Sequence, residues 1–167
     1  MDKATVVGVG NILLSDEGLG VRAVERLMAL YDMPPDVSVI DGGTLGLDLL
    51  PFIEGVSLLL IIDALKSGKT PGTITILRGE EVPQFLGVRL SPHQIGIAEV
   101  LSTSRLLGIE PKKTIIIGVE PKDLGVGLGL SKEIEMRLDE VVSLAIKELK
   151  ENGFEPIIKN NVPCDTI

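Results

Sequence analysis

Three side chains in this 167-residue chain could together grip a cation. Glu17 lies in "VVGVGNILLSDEGLGVRAVERL", Asp63 ends the apolar run "VSLLLIID", and His93, the only histidine, lies in "LSPHQIGIAEVL". One imidazole and two carboxylates suit a borderline transition ion and leave coordination positions open for another molecule. Each residue also has a structural account. Acids such as Asp16 and Glu17 are favoured in a helix first turn by the macrodipole, and Asp is a common turn residue after a strand. A lone histidine is more often structural than a ligand, although the first turn of a helix disfavours its protonated form and leaves a nitrogen for a metal.

The first loop also carries part of a dinucleotide fingerprint. Gly8 and Gly10 supply two of its glycines, Leu13 stands where the third belongs, and Asp41 ends the second strand-like run. The carboxylates of "SDEG" repel phosphate and attract cations, so the loop reads as a cation-facing edge. In an open α/β sheet ligands bind beyond the carboxyl ends of the strands, and Glu17, Asp63 and His93 all map there. No H-E-x-x-H motif and no G-x-S-x-G elbow is present, and the single cysteine, Cys164, lies in the terminal "NNVPCDTI", without a Cys–His pair.

The elements that must position these residues follow from periodicity. Strand-like runs at Ala4–Val9, Val37–Ile40, Val56–Ile62, Thr73–Leu77 and Thr114–Val119 alternate with helical segments, which predicts a mostly parallel sheet with helices on both faces. Thr73–Leu77 lacks a long preceding helix and is expected to be antiparallel or at an edge. Val21, Val24, Leu27 and Met28 share one face of the first helix. Ser91, Pro92 and Gln94 form a helix start that fixes His93 in the first turn. The last helix is expected to run from Ser131, as N-cap, to about Asn152, with Gly153 as its stop. Residues 1–153 are expected to form a single α/β domain and 154–167 a loosely ordered tail. "GVGLGLS" reads as a mobile loop or a flexible rim.

Composition narrows the partners. Sixteen basic against twenty-four acidic side chains give a net charge of −8, a field that disfavours nucleic acid and anionic membrane surfaces. The longest apolar run is far shorter than the ~20 residues that span a bilayer. One cysteine permits no disulfide framework, and no basic, apolar and cleavable leader precedes "ATVVGVG"; both fit a cytoplasmic protein.

The ordered set "GNILLSDEG", "DGGT", "IIDA" and "SPHQ" resembles the nickel–iron hydrogenase maturation endopeptidases, collinearly over nearly all of residues 1–153. The resemblance implies a three-layer α/β/α fold with a twisted, mostly parallel five-stranded sheet. It implies a cytoplasmic endopeptidase that removes the C-terminal extension of the hydrogenase large-subunit precursor once nickel is inserted. The family's metal-contacting residues fall on Glu17, Asp63 and His93, and its pattern places an acid at Asp41 near the cleft; some members carry Asp where Glu17 stands. Nickel would arrive bound to the precursor, so the coordination bonds themselves license cleavage. Either the metal activates water, or Asp63 or Asp41 acts as an aspartyl-type general base with nickel as a docking point.

Two rivals remain. One is a non-catalytic α/β module that binds a metal or nucleotide and regulates a partner. The other is an ordinary metallopeptidase for short peptides, which would hold a stoichiometric ion without any precursor.

Overall fold

The computed structural model describes residues 2–88 and 92–160, with the side chains of 87, 88 and 92–95 outside the description. Its centre is a five-stranded sheet in the order β3-β1-β4-β6-β5, built from β1 (Ala4–Val9), β3 (Val37–Gly43), β4 (Leu58–Ala64), β5 (Ile74–Arg78) and β6 (Lys113–Val119). Three of its four pairings are parallel, and at the edge β5 runs antiparallel to β6. That edge placement follows the missing helix before "TITIL". All six residues of β1 and all seven of β4 are buried, as strands covered on both faces require.

Two apolar layers sandwich the sheet. On one face Val6, Leu60, Ile62, Ile115 and Ile117 pack against Val24 and Leu27 of α1 (Leu19–Leu30) and Val141, Ala145 and Leu149 of α6 (Leu138–Glu151). On the other, Val7, Val9, Leu59, Ile61 and Ile116 meet Ile53 of α2 (Leu50–Ile53), Leu86 of α3 (Glu81–Val88) and Ile97 and Val100 of α4 (Pro92–Leu106). Successive β residues face opposite sides, so this division follows the alternation of each strand. The result is the three-layer fold expected from the sequence.

Several local expectations need correction. Met28 is substantially exposed, because the α1 stripe is completed by Ala23 instead. Ser131 does stand at the N-cap, but the last helix is broken into α5 (Lys132–Glu135) and α6, and the Ser131 hydroxyl bonds Asp16 in place of a helix amide. Gly153, with φ +89°, does end α6. The loosely ordered tail expected from residue 154 does not begin there. Phe154 is buried in the α1–α6 layer, and β7 (Ile157–Ile158) pairs antiparallel with β2 (Tyr31–Asp32). Apolar burial and the amide of Lys159 bonded to Leu30 O secure this stretch. Cys164 and the rest of 161–167, like Ser91, lie outside the described residues. Among the described residues no helix is long and apolar enough to cross a membrane.

Candidate active site

The carboxyl ends of β1 and β4 mark the point where the sheet's connections turn to opposite sides. From β1 the chain proceeds through α1 to β3 on one flank, whereas β4 lies on the other flank of β1. Open α/β sheets bind their ligands in the crevice at such a switch point. Glu17 and Asp63 occupy it from the two adjoining strands.

Glu17 sits in a single 3₁₀ turn, Ser15–Gly18, that follows β1 and leads into α1. Glycines hold this turn down on the sheet. A Cβ on Gly10 would stand 1.8 Å from the Glu17 carbonyl oxygen, and one on Gly20 would stand 2.2 Å from Ile62 O and 2.4 Å from Val9 O. Gly8 is equally crowded by the Gly20 carbonyl. Gly20 therefore allows the close helix–strand approach for which a dinucleotide fingerprint uses its third glycine, and Leu13 is 56% exposed instead.

Asp63 is wholly buried, although it lies at the end of a strand. Its register partner on β6 is Gly118, and Ile62 beside it pairs with Gly8 of β1. By alternation Asp63 shares the face of Ile61, beneath α4. Ile61, Val9 and Ile97 line one small apolar cavity, which places Ile97 over the carboxyl half of the sheet. His93 lies one helical turn before Ile97, in the first turn of α4, so its backbone belongs to the same end; its side chain is outside the description.

Asp41 lies at the same end but differs in placement. It pairs with Gly8, whose absent side chain would point at α1, so Asp41 is on the α1 side of the sheet and is exposed. The structure thus brings Asp63 and the start of α4 to one face, sets Glu17 in the turn above, and puts Asp41 on the opposite face. Among the described residues no group of three His, Cys, Asp or Glu side chains is close enough to hold a metal.

Two buried carboxylates at this end were not singled out by sequence reasoning. Asp16 is fully buried and accepts bonds from the amides of Lys122, Asp123 and Ser131 and from the Ser131 hydroxyl, at 2.6–2.9 Å. Glu120 accepts from the amide and hydroxyl of Ser67 and the amide of Gly68. Burial alone would raise the Glu120 pKa, but the Ser67 hydroxyl and the Ser67, Gly68 and Lys69 amides outweigh it and hold the pKa below its ordinary value. Both acids are occupied as loop anchors. The Asp16 anchor also fixes the Gly125–Gly129 stretch. With Ser15 Oγ on Gly125 O and a parallel bridge from Leu14 to Gly127, that stretch is a pinned loop and not the mobile one expected.

A groove of about 580 Å³ lies at the other end, between α3, α4 and the start of β6. It stands at the amino end of a parallel strand, away from the switch point, and contains none of the four candidates.

Comparison with known proteins bears on the family and the fold. The family model described as hydrogenase maturation protease matches residues 21–148. The chain is 44% identical to the Hydrogenase 2 maturation protease of Escherichia coli over 153 residues, covering 91% of this chain and 93% of that protein. It is 39% identical to the hydrogenase expression/formation protein HupD of Rhodobacter capsulatus, covering 92% and 74%. Its fold superposes on the hydrogenase maturating endopeptidase HybD from E. coli with a TM-score of 0.91 at 41% identity, over 96% and 99% of the two chains. The HybD protease of Thermococcus kodakarensis gives 0.73 at 26% identity, over 87% and 98%. Taken with the fold, these matches show that the chain belongs to the hydrogenase maturation protease family.

Proposed function

We propose that this protein is the endopeptidase that removes the C-terminal extension from a nickel–iron hydrogenase large-subunit precursor after nickel insertion. The observation that carries the reading is the burial of Asp63 at the switch point, on the face covered by the helix that begins at His93, with Glu17 in the turn directly above. A carboxylate buried at the switch point lies where open α/β sheets receive their ligands. Nickel enters as part of the substrate, held by the precursor. Glu17, Asp63 and His93 complete its coordination, and a precursor without metal lacks those bonds and docks too weakly to present its peptide bond.

Hydrolysis then adds water to the scissile carbonyl. The C–N bond breaks, and the proton released by water passes through a carboxylate to the leaving amine. Asp63 is better placed for this transfer than Asp41, which is exposed on the opposite face. Asp41 is assigned to the cleft mouth, as an acid that meets the incoming chain. The protein works in the cytoplasm, where the precursor is matured.

The test compares nickel-loaded and nickel-free precursor as substrates of the purified protein. The loaded form is shortened and the nickel-free form persists; equal processing of both would contradict metal-dependent licensing.

A further inference from the structure

Four apolar side chains at the carboxyl end of the sheet are exposed and yet held in place. Leu13 is 56% exposed, Val126 92%, Leu128 79% and Ile12 37%. Backbone bonds hold the segments that display them. The Gly127 amide donates to Leu13 O, the Ser15 amide donates to Gly127 O, and the Asp16 carboxylate holds the amides of Lys122 and Asp123. Pinning a glycine-rich loop costs backbone entropy, and displaying aliphatic groups to water forgoes the stabilisation that burying them would give. Neither expense serves the isolated fold. Together they pre-organise an apolar ridge, which lowers the ordering cost of association. Leu45 and Leu47, also exposed, follow β3 at the same end.

Resting on the function proposed above, we infer that this ridge is where the precursor docks, with Leu13, Val126 and Leu128 seating an apolar segment of the large subunit beside the bond to be cut. Continuity selects this occupant. Leu13 and Glu17 belong to one loop, and the Asp16 carboxylate that clamps the partner loop is the neighbour of Glu17, so whatever covers the ridge stands against Glu17. A second copy of the chain would bar that approach.

The experiment measures the Kd of nickel-loaded precursor for the wild type, for the triple variant Leu13→Ser, Val126→Ser, Leu128→Ser, and for Leu106→Ser, which alters an exposed leucine at the far end of α4. The triple variant is expected to raise Kd at least tenfold, with Leu106→Ser matching the wild type. Should the triple variant fail to fold, Val126→Ser alone, at the most exposed of the three positions, is expected to raise Kd about threefold. A wild type that cuts the precursor while the folded variant keeps wild-type affinity overturns the ridge alone. Sedimentation showing a wild-type dimer that the triple variant dissolves would assign the ridge to a second copy. A wild type that neither binds nor cuts loaded precursor overturns the underlying function, and the docking assignment with it.

Discussion

Asp16 accepts both the amide and the hydroxyl hydrogen of Ser131, 115 residues further along the chain, at 2.6 and 2.9 Å. This pairing ties the first loop of the fold to the segment that enters its last helices. It makes Asp16 a structural anchor, whereas Glu17, the next residue, is half-buried in the same turn.

Replacing Asp16 with Asn would turn an acceptor of four hydrogen bonds into a group that brings its own donors among them. Stability is expected to fall by about 3 kcal/mol, a Tm decrease on the order of 10 °C for a domain of this size. Urea and thermal denaturation measure it. An unchanged midpoint would show that the Lys122, Asp123 and Ser131 donors find other partners.

Gly20→Ala places a methyl group 2.2 Å from Ile62 O and 2.4 Å from Val9 O, both backbone atoms of central strands that cannot step aside. A loss of about 3 kcal/mol or more is expected. The control Gly46→Ala has open space around its Cβ, though its φ of +56° carries a smaller backbone penalty. Thermal melts of the two variants should therefore rank Gly20→Ala well below Gly46→Ala.

Glu120 introduces a pH dependence whose sign is fixed. Its folded-state pKa lies below the ordinary value, so its contribution is present above the unfolded-state pKa and is lost as pH falls through the folded one. Stability should thus decline below about pH 4.3, the model-peptide pKa of glutamate, as the Ser67 and Gly68 bonds lose their charged acceptor. In Glu120→Gln that part of the acid limb is absent. Parallel acid limbs in the two proteins would assign the decline to other carboxylates.

Asp63→Asn and His93→Ala are expected to abolish precursor shortening. Asparagine matches aspartate in shape, so Asp63→Asn should keep its melting temperature within a few degrees. A gel-shift assay with loaded precursor reads the first effect and calorimetry the second. Full processing by either folded variant would remove that residue from the site.

Much of this architecture is legible in the chain because it is written locally. β1 begins and ends at Ala4 and Val9 as its apolar run dictates, and β5 falls antiparallel at an edge because no long helix precedes it. Gly153 stops the last helix where glycine can take a positive φ. What was not legible is non-local. Asp16 looks like any acid in a helix first turn, since its donors lie 106 to 115 residues away. Ser131 has the form of an N-cap, but its hydroxyl is drawn to that distant carboxylate. Gly20 takes over the close-packing position because α1 starts later than the fingerprint spacing assumes. At the candidate site, the sequence identified Glu17, Asp63, His93 and Asp41 as acids and an imidazole at one end of the sheet. It did not reveal that Asp41 and Asp63 face opposite sides, which depends on strand register.

The bond from Asp16 to Ser131 also bears on biosynthesis. While a nascent chain is still shorter than 131 residues, the Asp16 carboxylate of the first loop lacks both of the bonds it accepts from Ser131. The first loop therefore gains its full set of donors only near the end of translation.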